Sequence, residues 1–225
     1  MPADQAAGLR RRSMQQPVHC IHCFFDTGES STQLVQALHQ RGQVSLLVDM
    51  RGRLFSDSST RNLFEWKQQL ARGQLHTLPQ TYGAGWYAPG VRADEPSFHC
   101  VEQGYDYLVF DAGPIGTGVA LRPNTLNTVF IEIHPTDHSM QRAYSLLKTL
   151  AWAGDRLSIG LLGDAAACDH VLTTYRHFLE QPRTQAIYSV AHEDDGFSAL
   201  AIRMEEEEAL RVTRCITGIN PNHGS

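Results

Sequence analysis

Five short apolar runs punctuate this chain, at residues 18–24, 44–49, 107–111, 129–133 and 157–162, and few of them alternate cleanly between apolar and polar positions. A strand with one face in water alternates. A near-continuous apolar strand is buried on both faces, which calls for a parallel sheet with helices on each side. The intervening segments supply those helices: Leu34, Val35, Ala37 and Leu38 recur at helical spacing until Arg41-Gly42, a normal helix stop, and residues 139–152 and 168–179 repeat the pattern. A loop-rich middle holds a further expected helix over residues 63–70 and a glycine-rich stretch at residues 82–86. This alternation predicts an α/β fold, a doubly wound, mostly parallel sheet flanked by helices, with ligands received at the C-terminal ends of the strands.

A chain of 225 residues, 42% of them hydrophobic, is of the size for one such domain. The expected division is a polar, Arg-tipped leader (1–16) set off by Pro17, the α/β domain (17–185) and a C-terminal extension (186–225). Net charge is −5, so despite the cluster Arg10-Arg11-Arg12 no direct nucleic-acid binding is expected. No apolar run approaches the roughly 20 residues of a bilayer span, and the first seventeen residues lack the apolar segment of a signal peptide, so a cytoplasmic protein is expected. Five cysteines, an odd number, fit reduced thiols.

Metal and hydrolase chemistry find little support. Cys20-Ile21-His22-Cys23 has zinc-like spacing, but on a strand the two cysteines face opposite sides and no second pair completes a set. The alternative is buried strand cysteines. His134 and His138 would share a metal only if their loop folded back, and no nucleophile elbow frames Ser158 beside Asp169 and His170. No cofactor and no metal are expected.

In a doubly wound fold the turn after the first strand is the natural anion site, and here it reads Cys23-Phe24-Phe25-Asp26-Thr27-Gly28-Glu29-Ser30-Ser31-Thr32. A phosphate-binding loop needs close backbone approach, a lysine and a Ser/Thr hydroxyl for magnesium. Glu29 stands where that lysine belongs, and a carboxylate repels phosphate by up to a few kcal/mol per close pair at low dielectric. Phe25 and Asp26 occupy positions suited to glycine, so only Gly28, Ser30 and Ser31 keep the pattern.

Residues 24–31 resemble the deviant Walker A loop, KGGVGKST, of the MinD/ParA-type P-loop ATPases, with Phe24 at the signature lysine and Glu29 at the second. Val48-Asp49-Met50-Arg51 resembles the following I-D-A-D segment, retaining Asp49 and placing Arg51 where the family positions hydrolytic water. Residues 105–111 resemble the Walker B strand and keep Asp111. Residues 135–139 with 143–148 are similar to the P-x-x-x-S…A-Y-x-L-x-K segment of one branch, the flagellar-number regulators FlhG or FleN. Asp4-Gln5-Ala6-Ala7-Gly8-Leu9-Arg10 matches that branch's D-Q-A-x-x-L-R element.

The resemblance covers residues 4 to about 180. It implies a MinD/ParA-like fold with a degenerate nucleotide site (Phe24, Gly28, Glu29, Ser30, Ser31, Asp49, Arg51, Asp111) and a leader that docks on the signal-recognition-particle-type GTPase FlhF. Ala6, Leu9 and Arg10 would share a helix face, and Gln5 would orient a water or phosphate in the partner. With the family's lysines replaced, the expectation is a monomeric pseudo-ATPase that stimulates FlhF and sets flagellar number or placement, recruited by a partner to the cell pole or flagellar base. Two other readings stay open: an ATPase in which Arg51 or Arg53 replaces lysine, and an adaptor of a flagellar transcription regulator or of flagellar assembly proteins. Ser30 is expected as a helix N-cap, and Asp49 and Asp111 as loop caps or partners of neighbours such as Arg51.

The C-terminal region departs from the family, which ends in a basic membrane-targeting helix. Here Glu205-Glu206-Glu207-Glu208 is repelled by anionic lipid, so no stable membrane anchoring is expected. Residues 186–203 alternate as strands around a hairpin turn at Asp194-Asp195-Gly196, with the acidic quartet as a helix start.

Overall fold

The first strand is polar only at its two histidines, and both are accommodated inside the protein. In the computed structural model, which describes residues 18–51, 53, 86–87, 105–114, 119, 121–122, 125–151, 157–178, 186–191 and 195–217, β1 (His19–Phe24) is buried at every position. The other strands are β2 (Ser45–Asp49), β3 (Trp86–Tyr87), β4 (Tyr107–Asp111), β5 (Asn127–Ile133), β6 (Leu157–Gly163) and β7 (Ala186–Ala191). They form one sheet in the order β3-β2-β4-β1-β5-β6-β7, and every pairing is parallel. The chain is thus an α/β doubly wound protein, in a layout shared by P-loop nucleotide-binding folds. The expected helix at residues 63–70 and most of the glycine-rich stretch lie outside the described residues.

Among the described residues two helices cover each face. On one, α1 (Gly28–Gln40) lays Leu34, Val35, Ala37 and Leu38 against Ile21, Cys23, Val109 and Phe130. Beside it, α4 (Gly196–Thr217) adds Leu200, Ala201 and Met204. On the other face, α2 (Asp137–Leu150) and α3 (Ala165–Phe178) bury Leu146, Leu147, Leu150, Val171 and Tyr175 over Val129, Ile131, Ile159 and Leu161. Full burial of each such aliphatic side chain contributes roughly 1.5–3 kcal/mol. Among the described residues no helix is long and apolar enough to cross a membrane.

The C-terminal segment corrects the sequence reading. Residues 186–191 do form a strand, but it adds to β6 in parallel, and Asp195-Gly196 opens a helix where a hairpin was expected. Phe197, Leu200, Ala201 and Met204 are spaced i, i+3, i+4, i+7, a helical stripe read as strand alternation. The segment therefore continues the sheet and its helical layer. The acidic quartet lies within α4 and is not its start; Glu205 accepts Arg41 Nη2 and Gln43 Nε2, tying α4 to the end of α1.

Gly163 ends β6 with φ +147°, and a Cβ there would stand 1.9 Å from the Ile133 carbonyl oxygen. Gly163→Ala should cost roughly 2–4 kcal/mol, read as a lower urea midpoint at unchanged slope. His22 donates Nε2–H to Asn127 Oδ1 at 3.2 Å and stacks on Phe110, and burial lowers its pKa to about 4, against a smaller opposing effect of that hydrogen bond. The native ring refuses a proton that the unfolded ring accepts below 6.5, so stability is complete above pH 6.5 and declines as pH falls toward 4. The decline should reach about 3 kcal/mol at about 1.4 kcal/mol per pH unit, and the corresponding slope between pH 6.5 and 4 should vanish in His22→Gln.

Candidate functional site

Adjacent strands β1 and β5 send their chains to opposite faces of the sheet, β1 into α1 and β5 into α2. A crevice opens at the strand ends where the connections diverge in this way, the usual ligand position of a doubly wound sheet. Register brings the polar residues together there: Cys23 and Asp49 both stand opposite Asp111, and Phe24 stands opposite Ile131.

The turn from β1 to α1 is anchored from inside. Phe25 is fully buried and packs edge-on against Phe197 of α4, with ring centroids 5.9 Å apart. Thr27, in extended conformation, caps α1 by accepting Ser30 N–H at 3.4 Å, and its Oγ1 lies 3.0 Å from Ser30 Oγ. The cap is therefore Thr27, because Ser30 already lies inside the first helical turn. Glu29 is exposed on that turn, where a carboxylate favours the helix dipole, and it accepts Gln33 Nε2 at 3.4 Å. Ser31 is buried and donates to Asp111 Oδ1 at 2.6 Å.

Arg53 lies at the centre. Its Nε and Nη2 form a two-point contact with Asp111 Oδ2 and Oδ1, both at 2.6 Å, the fork geometry that suits guanidinium to carboxylate. Nη1 donates to the Asp26 carbonyl at 2.9 Å, and Nη2 to those of Phe25 and Thr27 at 2.9 and 3.3 Å. Burial works against the charge, but the hydrogen bond and the negative charge of Asp111 outweigh it and hold the Arg53 pKa above the ordinary arginine value. Asp49 positions the tether: its Oδ1 accepts the backbone N–H groups of Arg51 at 3.1 Å and Arg53 at 3.2 Å. Asp49 thus caps its loop as expected. The ion pair with Asp111, however, is made by Arg53, whereas Arg51 sends Nε to the Ala112 carbonyl at 2.7 Å and packs on Gly113, whose φ is +68°.

A second polar group adjoins the first through Asp26. Its N–H donates to the buried Glu132 Oε2 at 2.8 Å, while its carboxylate meets His134 Nε2 at 3.2 Å and Arg142 Nη2 from α2. Glu132 Oε1 also lies 3.8 Å from His134 Nε2. Among the described residues no group of three or more His, Cys, Asp or Glu is placed to hold a metal ion. Cys23, beside Ser31, is a poor nucleophile, since burial first and the charge of Asp111 second push its thiol pKa well up.

Most of the residues expected to form a degenerate nucleotide site therefore do meet. Gly28, Ser30, Ser31, Asp49, Arg51 and Asp111 cluster around the strand ends, and Glu29 sits exposed at the rim. Phe24 does not join them, being buried in the core beside Ala112, Val129 and Ile131. Asp4, Gln5, Ala6, Leu9 and Arg10 lie outside the described residues. The sequence reading missed Glu132 and Arg142 and weighed His134 only as a metal ligand; the signal was a lone carboxylate in the otherwise apolar run Val129-Phe130-Ile131-Glu132-Ile133.

The polarity of the loop is the reverse of an anion cradle. Phosphate needs inward N–H groups and a free cation, whereas three carbonyl oxygens and a carboxylate point inward here, already satisfied by Arg53. Glu29, expected to be the chief obstacle, lies at the surface. The chain matches no protein-family model and no curated protein. Asp111→Asn should cost about 3 kcal/mol or more, because it leaves Arg53 partly buried without its counter-charge. In a double-mutant cycle with Arg53→Met, monitored by chemical denaturation, the two losses should couple by at least about 1 kcal/mol; additive losses would show that the pair does not act as a unit.

Proposed function

We propose that the chain is an FlhG-like pseudo-ATPase of the cytoplasm. It binds the signal-recognition-particle-type GTPase FlhF through its D-Q-A-x-x-L-R element and stimulates GTP hydrolysis there. In this way it sets flagellar number or placement, without hydrolysing ATP itself. The observation that carries the reading is the Arg53 guanidinium held by the carbonyls of residues 25–27 and by Asp111. A family scaffold whose nucleotide position is taken by its own side chain keeps a use only through elements that need no nucleotide. Residues 4–10 are such an element, because the contact they would make with a partner GTPase calls for no nucleotide in this chain.

A second reading, an ATPase in which Arg53 replaces the loop lysine, draws on the same placement of Arg53 inside the loop. It requires the guanidinium to leave Asp111 and the loop to turn its N–H groups inward. Titration with labelled ATP and magnesium separates the two: micromolar affinity supports the ATPase, and no binding at millimolar nucleotide supports the pseudo-ATPase.

Purified FlhF-type GTPase should turn over GTP faster in the presence of the full chain. Gln5→Ala should reduce that stimulation about tenfold, as for the loss of one hydrogen bond to a charged group of roughly 1.5 kcal/mol. Absence of any stimulation would sink the proposal.

A further inference from the structure

The acceptors around Arg53 share one property: each is fixed by something other than Arg53. The Phe25 carbonyl is held by a ring packed into the core against Phe197. Asp26 is held by its N–H on Glu132 and its carboxylate on Arg142 and His134. Thr27 is committed as the cap of α1. Asp111 is fully buried, paired on both sides by β1 and β2, and restrained by the Ser31 hydroxyl at 2.6 Å. A set of oxygens positioned in advance, without reliance on its occupant, is a preorganised binding site.

The ligand class follows from shape. The carboxylate of Asp111 receives two parallel N–H bonds at 2.6 Å, and the carbonyls of Phe25, Asp26 and Thr27 receive others at 2.9, 2.9 and 3.3 Å. Only a planar cation with donors spread around its rim satisfies a fork on one edge and carbonyls on the others; an ammonium is a compact point charge with three donors. We propose that the junction of the β1–α1 turn with the end of β4 is a receptor for alkylguanidinium groups, and that Arg53 is its tethered occupant. Removing the side chain then leaves a site that a free alkylguanidinium fills, in a chain where MgATP does not.

The test uses the full-length Arg53→Gly variant with methylguanidinium as the probe. Its melting temperature should lie below that of the wild type and rise by about 3 °C or more, saturably, at millimolar probe. Equal concentrations of methylammonium, sodium chloride or MgATP should not reproduce the rise. The wild type, its site already filled, should show no rise, and Arg53→Gly combined with Asp111→Asn should lose the response. A rise shared equally with methylammonium or sodium chloride, no saturable rise, or a rise with MgATP instead would each overturn the assignment. Should Arg53→Gly fail to fold, Arg53→Lys keeps a charge on a comparable tether but not the fork. It should melt at least about 3 °C below the wild type, and an unchanged melting temperature would refute the guanidinium preference.

Discussion

The contact between Arg53 and Asp111 joins three stretches that are far apart in sequence: the turn after β1, the turn after β2 and the end of β4. Asp111 is fully buried, and an ionised carboxylate in that position is tolerated only with a close counter-charge and satisfied lone pairs. Arg53 supplies the charge and Ser31 the additional donor. In return the guanidinium satisfies three carbonyl oxygens that the tight turn would otherwise leave pointing at one another. The turn, held by Phe25, Asp26 and Thr27 through contacts of their own, thus offers the cation a ready-made set of acceptors. A loop arranged for an anion would present its N–H groups to the same space.

Around this contact lies a layer of paired polar groups. Asp26, Asp49, Asp111 and Glu132 are met by Arg51, Arg53, Arg142 and the half-exposed His134 through the hydrogen bonds and ion pairs already described. Asp26 belongs to both halves of the layer, offering its carbonyl to Arg53 and its carboxylate to Arg142. The polar ends of the sheet are therefore cross-linked across the very point where the connections diverge, which is where related architectures admit ligands.

The fold was legible because both-face burial writes itself into sequence as unbroken apolar runs, and each of the five expected strands appears within two residues of its expected limits. The C-terminal helix was not, since Asp194-Asp195-Gly196 carries a strong turn signal and a short helical stripe mimics alternation. In the site, Ser31, Asp49 and Asp111 could be located because strand ends are easy to find. Arg53 could be suspected as a cation near the loop, but not as its occupant, because the direction of backbone carbonyls has no sequence signature. The contacts of Asp26 with Glu132 and Arg142 span more than a hundred positions and leave no local pattern.

Phe25 gives the turn a dependence on the order of synthesis. Its ring is covered by Phe197, in the same cluster as Leu200 and Met204, so the turn lies near the start of the chain while its lid lies near the end. During translation β1 and α1 emerge long before α4, and a fully apolar ring in the turn stays uncovered meanwhile. The turn after β1 and the last helix are thus one packing unit, and a chain that lacks α4 leaves the Phe25 ring bare.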